Sequence, residues 1–203
     1  MVTRVEPLHA VELRVLGALI EKDITTPEYY PLTVNSLQNA CNQKSNRDPV
    51  VQFDEQTVEQ ALELLKNKHL VVRISGVGHR VEKFGHRLGE TLNLGRREMA
   101  LLCVLMLRGP QTVGELRGRT ERMHDFADLE EVERVLETLE TRELVAKASR
   151  GRWVQLLGGA VEVEDNQPAA VVRTPLEERV AALEHDLERL KQQLQEKLGE
   201  RFE

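Results

Sequence analysis

Cysteine is scarce in this chain, and its scarcity excludes two kinds of site. The 203 residues include two cysteines, Cys41 and Cys103, which lie far apart in sequence and form no Cys-x-x-Cys pair. A disulfide framework and a paired-cysteine metal or redox site are therefore excluded. We expect both thiols to be reduced and to pack as small apolar side chains in the core.

Long apolar runs are also missing. The longest extends from Met99 to Leu107, well short of the roughly 18 residues that a membrane-spanning helix needs. This run predicts a buried helix instead. The first residues, Met-Val-Thr-Arg-Val-Glu-Pro, contain no apolar signal segment. We therefore expect a cytoplasmic protein without membrane contact.

The common catalytic motifs are absent as well. The sequence has no Gly-x-Ser-x-Gly elbow, no Gly-x-x-x-x-Gly-Lys-Ser/Thr phosphate loop and no His-Glu-x-x-His zinc motif. His79 and His86 flank a predicted hairpin, but two imidazoles without cysteine or carboxylate partners make a poor metal site. We predict no catalytic residue, no metal and no cofactor, and hence a binding protein rather than an enzyme.

Acidic residues are concentrated at one end of the chain. The formal net charge is -6, and residues 158–203 hold 11 acidic against 6 basic side chains. Residues 1–157 are therefore nearly neutral overall and can carry local patches of either sign.

An internal repeat organises the first 157 residues. Val58 to Arg73, VEQALELLKNKHLVVR, aligns with Val132 to Lys147, VERVLETLETRELVAK, and both patterns predict an amphipathic helix that leads into a strand. Upstream, Thr33 and Thr112 each precede a short apolar segment, which predicts a threonine cap at a helix start. Val11 to Lys22 and Arg96 to Arg108 predict the helices before those caps.

Each copy thus has the predicted order helix, extended piece, helix, helix, strand, turn, strand. This order is typical of a winged helix, in which a β-hairpin (the wing) follows a helix-turn-helix. We predict an α+β protein with one winged-helix domain at residues 1–90 and a second at residues 91–157.

The remaining residues predict a linker and a coiled coil. Residues 158–175 are acidic and contain glycine and proline, as linkers do. Residues 176–203 predict a helix with a heptad seam, and this seam predicts a homodimer. The alternative is an amphipathic helix that packs on the rest of the protein. The candidate dimer contacts are Leu176, Val180, Leu183, Leu187, Leu190 and Leu194.

Three polar segments carry a resemblance to a known family. They are the polar string CNQKSNRDPV (Cys41 to Val50), the segment from Thr25 to Thr33, and the segment from Leu107 to Arg117. With them the chain resembles the uncharacterised bacterial YceH family over roughly residues 8–157. The resemblance implies a tandem winged-helix fold and a cytoplasmic bacterial protein, and it implies no established activity. The second wing is shorter here than the resemblance implies.

DNA association is the function that the winged-helix prediction favours, though not through the third helices. Their predicted outer faces are acidic, with Glu55, Glu59 and Glu63 in the first copy and Glu130, Glu133 and Glu137 in the second, and acids repel phosphates. We predict phosphate contacts instead from three places: the first wing, the polar string, and residues 117–122 at the corresponding position of the second copy. These candidates are Lys44, Arg47, Arg73, His79, Arg80, Lys83, His86, Arg87, Arg117, Arg119 and Arg122.

A protein-interaction adaptor is the alternative function. The acidic third helices would then bind a protein partner. The polar string also has two interpretations: its donors can hold a phosphate or a partner carboxylate, or its asparagines can bond the backbone and shape the loop. We favour the structural role for the string, with Lys44 and Arg47 as exceptions. Tyr29 and Tyr30 are expected to pack between the first helix and the sheet.

Overall fold

The computed structural model describes residues 5–74 and 81–159, which form helices and two small antiparallel sheets. The N-terminal half contains α1 (Ala10–Thr25), α2 (Val34–Cys41), α3 (Glu55–Asn67), β1 (Val71–Ile74), β2 (Lys83–His86) and α4 (Leu88–Leu92). The C-terminal half contains α5 (Arg96–Arg108), β3 (Gln111–Thr112), α6 (Val113–Thr120), α7 (Leu129–Thr141), β4 (Val145–Ala148) and β5 (Arg152–Gln155). The predicted mixture of helix and sheet is confirmed.

Side-chain caps determine where the short helices begin. Thr33 accepts a hydrogen bond from the Ser36 backbone N–H at 3.2 Å before α2. Thr112 accepts one from the Glu115 N–H at 3.3 Å before α6, and Asp54 caps α3 in the same way. Each bond satisfies a backbone donor that has no partner within its helix. The predicted threonine caps are therefore confirmed.

Helix α5 spans the residues that its periodicity predicted. Its apolar run from Met99 to Leu107 is buried throughout, which explains why the run is continuous rather than striped. The helix ends after Arg108 because Gly109 adopts a φ of 69°, a left-handed conformation that glycine tolerates and most residues do not. Among the described residues, no helix is long and apolar enough to cross a membrane.

The two sheets share one pattern of strand pairing. In the N-terminal half β1 pairs with β2, and Leu32 forms an additional antiparallel bridge to Phe84 of β2. In the C-terminal half the strand order is β3-β5-β4, with Gln111 opposite Trp153. The residues just before the second helix of each half thus pair with the last strand of that half.

One hydrophobic core runs through both halves because α1 packs directly against α5. Gly17 allows this close approach: a Cβ added there would lie 2.9 Å from the Leu107 side chain. The Cys103 thiol lies 3.3 Å from the Gly17 carbonyl oxygen, and Cys41 is equally buried. Burial raises the pKa of Cys41 to about 12. The prediction that both cysteines are core residues is confirmed.

Several predicted features lie outside the described residues. They are the turn of the first hairpin, with His79 and Arg80, nearly all of the 158–175 linker, and the 176–203 heptad segment. These features remain predictions from the sequence.

Candidate functional site

A buried arginine anchors the polar string between α2 and α3. The Arg47 side chain is fully buried, and its guanidinium forms a bidentate ion pair with Glu21 of α1 at N–O distances of 2.6 and 3.1 Å. It also donates to the carbonyls of Ala40 and Asn46 and to the Gln43 amide oxygen. Every N–H of the guanidinium is thereby used. We therefore remove Arg47 from the predicted phosphate contacts.

The sequence did contain one signal for this anchor. Glu21 lies within the apolar pattern of α1, and it is 9% exposed in the structure. A carboxylate in such a place needs a buried cation or several hydrogen bonds. The pattern could have indicated that a base was required, but not which one, because Arg47 lies 26 residues further along the chain.

A second buried arginine, Arg14 of α1, holds both ends of the polar string. Its guanidinium donates to the Pro49 carbonyl at 2.6 Å and to the Cys41 carbonyl at 3.3 Å. Burial, and then the nearby charge of Arg47, lowers the pKa of Arg14. The two arginines fix the path of the string against α1.

Asn42 confirms the structural use that was predicted for the asparagines of the string. Its side chain exchanges two hydrogen bonds with the backbone of Phe53, each 2.8 Å long. Gln38 donates to the same carbonyl at 3.0 Å. Lys44, in contrast, is exposed and makes no hydrogen bond or ion pair with any described residue. Of the two predicted exceptions, only Lys44 is presented to solvent.

Two of the predicted basic contacts near the first wing face acidic side chains of the protein itself. Arg73 pairs with Glu82, and Arg87 pairs with Glu90, with N–O distances of 2.8 Å in both cases. All four side chains are about half exposed or more. Exposed ion pairs contribute only about 0–1 kcal/mol, so these arginines can exchange their partners for another anion at little cost.

His86, the last residue of β2, belongs to a small polar cluster with Tyr30 and Asp23. Its ring Nε2 lies 3.2 Å from an Asp23 carboxylate oxygen, and its backbone N–H donates to the Tyr30 hydroxyl at 2.6 Å. Burial raises the pKa of Tyr30. The packing role predicted for the tyrosine pair is confirmed for Tyr30 alone, since Tyr29 is 72% exposed. Lys83 is half-buried and makes no ion pair within residues 5–74 and 81–159.

Two of the three predicted basic contacts after α5 also have structural partners. Arg117 donates to the carbonyls of Phe126 and Ala127 at 3.2 and 2.9 Å, which closes the loop between α6 and α7. Arg119 lies 3.5 Å from a glutamate one turn earlier in α6. Arg122 is exposed and has no hydrogen bond or ion pair in the part of the chain that the structure describes.

A polar cleft lies where the last turns of α1, α5 and α6 meet the polar string. Its volume is about 460 Å³. The sequence placed Arg119 and Arg122 together at one corner, but it did not bring Lys22 and Arg108 to them, because these residues belong to separate helices. The charged residues that line the cleft are Glu21, Lys22, Arg108, Arg119, Glu121 and Arg122.

The outer faces of the third helices, α3 and α7, are acidic as predicted. The exposed acids are Glu55, Glu59 and Glu63 on α3 and Glu130, Glu133 and Glu137 on α7. Leu64 lies beside them on α3 and is 45% exposed. Each face therefore combines negative charge with polar surface and one exposed leucine, since Leu129 of α7 is also 45% exposed.

Known proteins match this chain over most of its length. Residues 8–152 match a family model described as "Protein of unknown function, DUF480". A UPF0502 protein of Solibacter usitatus is 57% identical over 192 residues, which cover 91% of this chain and 93% of the relative. UPF0502 proteins of Opitutus terrae and Serratia proteamaculans are 48% and 44% identical and cover 91% and 93% of this chain, and 83% and 94% of their own length.

Proposed function

Because this chain belongs to the DUF480 family of proteins of unknown function, we propose its role from its own surface. It is a non-catalytic binding protein made of two tandem winged helices, and its acidic third helices dock a protein partner. Family membership supports the earlier resemblance to an uncharacterised bacterial family, and function has to be argued from the residues that are exposed.

Element order and strand pairing support the winged-helix assignment. In each half, one helix is followed by a short extended piece, two more helices and two antiparallel strands. The extended piece pairs with the last strand, through Leu32 and Phe84 in one half and through Gln111 and Trp153 in the other. A winged helix has this same connectivity.

The acidic outer faces of α3 and α7 are the observation that carries the choice of a protein partner. A winged helix usually places its third helix in the major groove of DNA. Here that placement would bring Glu59, Glu133 and Glu137 towards phosphates, which repel carboxylates. A basic protein surface is attracted to the same faces, and such complementarity raises association rates and selects partners.

A charge-matched bait experiment tests this docking. The full chain captures proteins from a bacterial extract beside two variants, each of which removes three exposed acids. The test variant is Glu59→Gln, Glu133→Gln and Glu137→Gln, and the control is Glu6→Gln, Glu28→Gln and Asp125→Asn. We expect the wild type and the control variant to capture a partner protein that the test variant does not capture. Once that partner is purified, its affinity for the wild type should fall as the salt concentration rises. Equal capture by all three baits would contradict the proposal.

DNA association through phosphates is the second candidate. It is favoured by the basic side chains of Lys44, Lys83 and Arg122, which make no ion pair with described residues, and by the weak exposed pair of Arg73. If DNA binds, Lys83→Ala and Arg80→Ala should each weaken binding on all sequences alike and reduce the salt slope by about one. Unchanged affinity in both variants would exclude contact through the first wing.

We also propose that the chain forms a homodimer through the heptad seam defined above. Its support is the spacing of Leu176, Leu183 and Leu190 at one heptad position, with Val180, Leu187 and Leu194 at the other. A dimer would present four acidic third helices to a partner, and paired sites bind more tightly than single ones.

A further inference from the structure

The polar cleft between α1, α5 and α6 has an excess of positive charge. Its wall carries Lys22, Arg108, Arg119 and Arg122. Of its two carboxylates, Glu21 is already neutralised by the bidentate pair with the buried Arg47.

Helix dipoles explain part of this charge but not all of it. Lys22 and Arg108 lie in the last turns of α1 and α5, and Arg119 lies in the last turn of α6. A helix C-terminus carries about half a negative charge and favours cations nearby. The three helix C-termini and the exposed Glu121 together carry less negative charge than is needed to balance the positive charge of the four cations on the wall. A positive excess therefore remains.

The arginines of the cleft lie close enough to affect one another. Burial and the nearby charges of Arg119 and Arg47 lower the pKa of Arg108. Among the described residues, Arg119 has only a long 3.5 Å contact to Glu115, and that carboxylate also accepts from Arg152 at 3.0 Å. Like charges held together in this way are relieved by an anion placed between them.

The polar string adds neutral donors to the same wall. The Gln43 amide oxygen accepts from Arg47 at 3.3 Å, and the Asn46 amide oxygen accepts from Arg108. Because both oxygens are bound to arginines, the NH₂ group of each amide is left to donate. Ser45 contributes a hydroxyl to the lining. These polar residues of the string, which the docking function does not use, therefore supply donors where an anion would lie.

We propose that this cleft binds the phosphate group of a small molecule. Arginine forks match phosphate oxygens, and a phosphate offers nearly two negative charges and three acceptor oxygens to four cations. A carboxylate offers one charge and two oxygens, so it would leave most of the wall unmatched. The volume of about 460 Å³ lies within the range of small-molecule sites. No residue of α3 or α7 lines the cleft, so this site is independent of partner docking.

Calorimetric titration of the full chain tests the site. The probes are inorganic pyrophosphate and, at equal ionic strength, acetate. We expect saturable binding of pyrophosphate at one site per chain and no saturable binding of acetate. The absence of a saturable pyrophosphate signal would overturn the proposal, and so would acetate binding of similar strength, because the site would then not select phosphate.

Variants inside and outside the cleft locate the signal. Arg122→Gln changes an exposed side chain without a described partner, so its fold should be unaffected, and we expect about tenfold weaker pyrophosphate binding. Arg108→Gln should weaken it at least as much, with circular dichroism confirming that the variant is folded. Arg150→Gln removes one exposed positive charge outside the cleft and should bind like the wild type. Equal losses in Arg122→Gln and Arg150→Gln would show non-specific attraction and contradict the site.

Discussion

Replacement of Arg47 by alanine should destabilise the protein strongly, although the residue lies in a loop. The change removes both hydrogen bonds to Glu21 and leaves that carboxylate, whose side chain is 11% exposed, without its main partner. It also removes both donors to the Ala40 carbonyl. An exposed phosphate-contacting arginine at the same position would have none of these consequences for stability.

The magnitude follows from the burial of the pair. Removal of one partner of a buried ion pair costs about 3–5 kcal/mol. Lys22 lies 3.7 Å from the same Glu21 oxygen that Arg47 binds at 2.6 Å, and it can compensate part of the lost charge. We therefore expect a loss of about 3 kcal/mol, which lowers the melting temperature by roughly 6–12 °C for a domain of this size.

Urea unfolding followed by far-UV circular dichroism measures this loss. Lys44→Ala is the matched control, because it removes an exposed base from the same loop and should change the free energy of unfolding by less than about 0.5 kcal/mol. The double variant Glu21→Gln, Arg47→Met removes both charges and should be less destabilised than the sum of the two single variants. If Arg47→Ala lowers the free energy of unfolding by less than about 1 kcal/mol, the reasoning is refuted, because removal of one partner of a buried ion pair costs more than this.

Three further predictions concern packing, pH and assembly. Gly17→Ala should destabilise the protein by about 1–3 kcal/mol because its Cβ would meet Leu107. Gly118→Ala, whose Cβ would meet nothing within 4 Å, should instead stabilise the protein by about 0.5–1 kcal/mol. Thermal unfolding of the two variants measures both changes. A backbone hydrogen bond at the start of α6 lowers the pKa of Glu115 below its ordinary 4.5, so its stabilisation is present above that pH and is lost as the pH falls through the folded pKa. The difference in free energy of unfolding between wild type and Glu115→Gln should therefore be constant near neutral pH and shrink below about 4.5, as measured by urea titration at several pH values. Removal of residues 176–203 should convert a dimer into a monomer by light scattering, and a monomeric full-length chain would refute the coil.

The parts of the fold that the sequence predicted are those that local chemistry determines. Helix α5 needed only its apolar residues, and its end needed only Gly109, whose φ of 69° glycine tolerates and most residues do not. The caps at Thr33 and Thr112 each require a side chain three residues from its donor. Caps and apolar periodicity depend on residues within about one helical turn of each other, so both can be recognised in the sequence without a structure.

The candidate sites were harder to predict because they depend on pairs that are distant in sequence. Arg47 and Lys44 lie in the same polar string, and both were predicted to contact phosphate. In the structure Arg47 is buried against Glu21, whereas Lys44 is exposed. The cleft joins Lys22 and Arg108, which no local pattern connects. The acidic outer faces of α3 and α7 were predicted correctly, because helical periodicity alone decides which side of a helix is exposed.

Fluorescence anisotropy of the purified full-length protein with a mixed-sequence duplex tests the central claim most directly. The duplex needs roughly 30 base pairs, and the salt concentrations are about 50 and 200 mM, because phosphate binding falls steeply between them. If the acidic third helices serve a protein partner, we predict no binding even at the lower salt concentration, where attraction to phosphates is strongest. Micromolar or tighter binding that weakens by orders of magnitude at the higher salt concentration would contradict that claim and support DNA association, the second candidate function.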